Sequence, residues 1–105
     1  MTFEIKVGST ACLVAFDPDK ITSDNINMFI MELKNEMLSK GAVGKRVCIV
    51  SAKPSWQTSA VVCAIGGLFS IVAMASGKNA IVVSTMVPEF RQGDVIQIPS
   101  DLLST

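Results

Sequence analysis

The chain has 105 residues, 50% hydrophobic and only 17% charged, and its nine basic and nine acidic side chains cancel. That length suits one domain, residues 1–105, around one core. The balanced charge argues against duplex nucleic acid as a partner, since duplex-binding domains carry a basic excess, but a small anion needs only a local pocket. Low charge and a positive mean hydropathy point to apolar surface hidden by self-association.

Phe3, Ile5 and Val7 alternate with Thr2, Glu4 and Lys6, the pattern of a half-buried strand. Gly8-Ser9-Thr10 offers a turn, and Ala11 to Phe16 is a second apolar run that pairs back as a hairpin. Asp17-Pro18-Asp19 ends it. Thr22 or Ser23 is then placed to cap a helix whose Ile26, Phe29, Ile30, Leu33 and Met37 fall on one face, with Lys40-Gly41 as its stop. Arg46 to Ser51 reads as a strand, continuously apolar at its centre and so buried on both faces. A helical run over Ala60 to Leu68, ended or frayed by Gly66-Gly67, comes next. Ser70 to Met74, Ala80 to Ser84 and Asp94 to Ile98 are β-like, and Val87 to Gly93 is a loop. The predicted fold is α/β: a single domain with a mixed β-sheet and two main helices in the order β-β-α-β-α-β-β-β.

Two segments hold the candidate ligand-binding residues. The first is the strand-to-helix junction with Ser51, Lys53, Pro54, Ser55, Trp56, Gln57, Thr58 and Ser59. A helix start presents unpaired amides and a positive dipole end to an anion; hydroxyls and a lysine add donors, and Trp56 offers a face for a base. The plainer alternative is a capped helix with Ser55 as cap, Thr58 and Ser59 exposed and Trp56 in the core. The second segment is the loop carrying Thr85, Met86 and Arg91, where the guanidinium suits a phosphate and the plainer alternative is a solvated turn. The chain has no histidine, so the commonest general base and metal ligand is missing. Cys12, Cys48 and Cys63 lie among apolar neighbours and match no zinc spacing, which predicts buried, reduced thiols.

No signal peptide opens the chain, which predicts a cytoplasmic protein. Pro54 to Gly77 is uncharged, but Gly66-Gly67 interrupts it, so no membrane span is expected.

Taken in order, Val47-Cys48-Ile49-Val50-Ser51, Pro54-Ser55-Trp56, Ile71-Val72-Ala73-Met74, Ala80-Ile81-Val82-Val83, Pro88-Glu89-Phe90 and Gly93-Asp94-Val95-Ile96 resemble the small ring-nuclease family of type III CRISPR systems. The resemblance covers about half of the chain. It implies an α/β fold, assembly into dimers or tetramers, and binding of the second messenger cyclic tetra-adenylate in a groove shared between subunits. The family cuts that ring to end antiviral signalling, often with manganese. This chain departs from the family pattern where catalysis is concerned. Met86 stands in place of a histidine, an aspartate is missing after the strand ending near Met74 and Ala75, and the central helix carries no histidine. The resemblance therefore implies a nucleotide-binding protein without cofactor or metal, a sensor or sequestering domain of an oligomer or of a larger effector. The alternatives are a slow metal-independent ring nuclease, or a structural module that binds no nucleotide.

Overall fold

The computed structural model describes residues 2–103. Six strands form one sheet in chain order: β1 (Phe3–Val7), β2 (Ala11–Phe16), β3 (Val47–Ser51), β4 (Ile71–Ser76), β5 (Asn79–Thr85) and β6 (Val95–Gln97). β2, β3 and β4 run parallel, while β1, β5 and β6 are antiparallel to their neighbours. The two main helices are α1 (Ile26–Ser39) and α2 (Trp56–Ile65). The single α/β domain with a mixed sheet and two main helices is as the sequence predicts; a short third helix, α3 (Ser100–Leu103), is added after Pro99.

The parallel strands explain where the helices go. β2-α1-β3 and β3-α2-β4 step across the sheet in the same direction, so crossovers of one hand put both helices on one face. Phe29, Leu33 and Met37 of α1 and Val61 and Ile65 of α2 are buried there against Cys12, Val14, Cys48, Val50 and Val72. Each fully buried large apolar side chain stabilises by about 1.5–3 kcal/mol relative to exposure. The other face carries Ala11, Ile49, Ile71, Ala73 and Val82, and it is covered by Val87 and Phe90 of the 86–94 loop and by Ile98 and Leu102. Alternation along β3 thus fills two cores, which is why its sequence is apolar throughout.

Helix starts follow local chemistry. Thr22 and Asn25 bond reciprocally, Thr22 N–H to Asn25 Oδ1 at 2.8 Å and Asn25 N–H to Thr22 Oγ1 at 3.3 Å, so Thr22 caps the turn that leads into α1. α2 begins at Trp56, four residues before the apolar run suggests, because the Ser55 side chain accepts the Thr58 amide at 3.1 Å and caps there. Gly66-Gly67 tightens the end of α2 into a 3-10 turn over Gly66–Leu68.

Candidate functional site

The carboxyl ends of β2, β3 and β4 define one end of the sheet, here the upper end. Three segments meet there: residues 17–25 before α1, residues 52–55 before α2, and the Gly77-Lys78 turn joining β4 to β5. Gly77 has φ +64, a left-handed conformation natural to glycine.

The loop before α2 is held by its own side chains. Thr58 is buried, and its hydroxyl donates to the Lys53 carbonyl at 2.7 Å and accepts from Ser55 Oγ at 3.2 Å. Gln57 Nε2 donates to the Ile21 carbonyl at 3.2 Å, tying α2 to the segment ahead of α1. Lys53 pairs with Asp19. That hydrogen bond raises the Lys53 ammonium above the usual lysine range, so the group is a cation at neutral pH and not a general base. Thr58 and Gln57 are therefore positioning groups whose bonds are already made.

Trp56 is 54% exposed. It does not fill the core, which removes the plainer alternative for this residue. Its indole stands on the first turn of α2, beside the helix amides that have no intrahelical partner. Ser59 is exposed and Ser55 half-buried on the same helix. Together with Pro54 and Thr58 they line an open apolar groove of about 500 Å³ between α2 and the β4–β5 hairpin. The groove exists because two helices cannot cover six strands, and β5 lies beyond α2. A register shift between Val72 and Ala73 leaves Val83 without an opposite residue on β4, and Val83 lines the groove floor with Met74 and Ile81. Ser51 is elsewhere. Alternation from Val50 turns it to the opposite face, where it lines a separate hollow with Ala15, Asp17 and Lys20.

Cys63 also lines the groove and is exposed. This corrects the expectation of three buried thiols: α2 buries Val61 and Ile65, two residues to either side, and leaves Cys63 on its exposed side. Cys12 and Cys48 are buried as predicted, opposite each other on β2 and β3. A mutual hydrogen bond and burial push the Cys48 thiol up.

The second segment lies at the other end of the sheet. Ile71 pairs with both Val47 and Thr85, which places Thr85 beside the amino ends of the parallel strands. It is separated from Ser51 by roughly 13 Å along the strands and about 10 Å across them. Thr85 Oγ1 accepts the Val87 amide at 3.0 Å. Met86 is 68% exposed. Arg91 is exposed, its amide donating to Asp94 Oδ2 at 2.9 Å, and its guanidinium forms no ion pair among the described residues. One subunit does not bring Arg91, Met86 or Thr85 to Trp56.

Sequence reasoning missed the groove walls Val62, Met74, Ile81 and Val83, and Lys78 in the turn at the same end. The parallel order of β2, β3 and β4 is the signal that would have found Lys78, because it puts the turn after β4 beside the start of α2. Among the described residues no cluster of three or more Cys, Asp or Glu side chains is placed to hold a metal ion. Asp17 accepts the Asp19 amide and Asp19 binds Lys53, so the donor set does not fit the manganese that the resemblance implies. No helix among the described residues is long and apolar enough to cross a membrane. The sequence matches no protein-family model and no curated protein.

Proposed function

We propose that this chain binds cyclic tetra-adenylate at the upper end of its sheet. In this reading it is a cytoplasmic sensor or sequestering domain of type III CRISPR antiviral signalling, acting as an oligomer or as part of a larger effector. The observation that carries the reading is the exposed Trp56 on the first turn of α2, three residues after Lys53 and on the helix whose Ser55 and Ser59 line an open apolar groove. An adenine base stacks on the indole. A second base lies in the groove against Met74 and Ile81. The intervening phosphate meets the α2 amides, Ser59 and the Lys53 ammonium. Thr58 and Gln57 hold the loop in place.

Arg91, Met86 and Thr85 join the same ring only across a subunit boundary, with the lower end of one copy set against the upper end of another. The split of the two segments between the ends of the sheet favours a groove shared between subunits over one contained in a single chain.

Binding is favoured over cutting. Cleavage needs a base on a ribose hydroxyl, and Asp19 keeps Lys53 protonated. Titration calorimetry of the full chain with cyclic tetra-adenylate, followed by chromatography of the recovered nucleotide, tests the proposal. Micromolar or tighter binding with an intact ring is expected. Linear product would replace the sensor with a ring nuclease, and absence of heat would refute nucleotide recognition.

A further inference from the structure

β1 closes one side of the sheet, and no strand among the described residues lies beyond it. Its pairing with β2 fixes where its backbone points. Gly8 N–H bonds to the Ala11 carbonyl at 2.8 Å, and the antiparallel register runs from there through Lys6↔Leu13 and Glu4↔Ala15. Hydrogen-bonded and non-bonded positions alternate in such a pair. Glu4, Lys6 and Gly8 therefore direct their backbone groups at β2, while Phe3, Ile5 and Val7 direct theirs outward, at an edge with no strand partner among the described residues. An open edge of this kind is a template for another strand.

The side chains say which strand. Glu4 and Lys6 share one face, their charged groups 3.8 Å apart, and Phe3, Ile5 and Val7 share the helix-covered face. We infer that β1 pairs antiparallel with β1 of a second copy of this chain, about a twofold axis through Ile5, joining two sheets into one. In that register Ile5 faces the partner's Ile5, and Phe3 and Val7 face the partner's Val7 and Phe3. The outward backbone groups are then all used, in about six inter-subunit hydrogen bonds. Glu4 meets the partner's Lys6, and Lys6 meets the partner's Glu4, at the closer, non-bonded positions. The adjacent registers that use the same backbone groups fail on charge. A shift one way puts Glu4 against the partner's Glu4, and the other way puts Lys6 against the partner's Lys6. Like charges directly opposite are unfavourable, so the edge selects one register. Val7, 39% exposed in the single chain, is covered by the partner's Phe3, and the helix-side core continues across the seam.

This interface does not depend on nucleotide recognition, and its test is done without nucleotide. Sedimentation equilibrium of the full chain is compared with Glu4→Lys, Lys6→Glu and the double exchange Glu4→Lys/Lys6→Glu, with circular dichroism to confirm folding. Both single variants put like charges across the seam, so each is expected to sediment at half the wild-type mass, with a dissociation constant raised roughly tenfold or more. An equimolar mixture of the two single variants restores opposite charges across the axis and is expected to recover the wild-type mass, as is the double exchange. A wild-type chain that is monomeric at high micromolar concentration overturns the inference. So do single variants that keep the wild-type mass, or a folded mixture that stays at half mass.

Discussion

The two ends of the sheet carry similar residue types in different settings. At the upper end, Thr58, Gln57 and Ser55 spend their hydrogen bonds on fixing one loop, and the surface left is an exposed aromatic ring, a lysine paired with Asp19 and an apolar groove. At the lower end, the 86–94 loop turns Val87 and Phe90 into the second core and satisfies its polar groups locally, through Thr85, Asp94 and the backbone of β5. Its Met86 and Arg91 are exposed. Donors alone do not make a site. The upper end has a fixed backbone beside open apolar space, whereas the lower end offers exposed groups that need a second surface.

That contrast can be broken most severely at Thr58. Thr58→Val leaves the Lys53 carbonyl and Ser55 hydroxyl short of a partner at a buried position, and should cost about 1–3 kcal/mol in denaturant unfolding. Trp56→Ala should separate binding from stability. Affinity for cyclic tetra-adenylate falls about 10- to 100-fold, while unfolding shifts by no more than about 0.5 kcal/mol because the ring is exposed. Arg91→Ala sharpens the comparison, since it should weaken binding by about tenfold only in an assembly that sets lower end against upper end. Equal affinity in the variant would confine the site to one end. Lys53→Ala is expected to weaken binding about fivefold and to flatten its salt dependence. The smallest effect is that of pH. Asp19 raises the Lys53 pKa, so the protonated cation is retained to beyond the ordinary lysine range, and affinity should stay constant from about pH 6 to about pH 9.

The elements most legible in the sequence are those whose periodicity matches their burial. α1 shows its buried stripe of Phe29, Leu33 and Met37, and β3 shows its double burial. α2 is less legible at its start, because Trp56, Gln57, Thr58 and Ser59 carry no apolar period and only the Ser55 cap announces the helix. Cys63 misleads because sequence neighbours on a helix point to different sides. α3 is a single turn after Pro99, too short for a pattern. The candidate site was half legible. The donors before α2 are visible as residue types, but the distance between them and Arg91 is set by the β4–β5 register, and the groove by the absence of a third helix over β5. Neither is a local property of the chain.

The chain has one tryptophan and no tyrosine, so its intrinsic emission reports on Trp56 alone. Titration of the full chain with cyclic tetra-adenylate, followed by tryptophan fluorescence, tests the central claim at the residue that carries it. Saturable quenching, with linear tetra-adenylate giving a weaker response, is the predicted result. Emission that stays unchanged while calorimetry records binding would place the ligand elsewhere on the molecule and contradict the account.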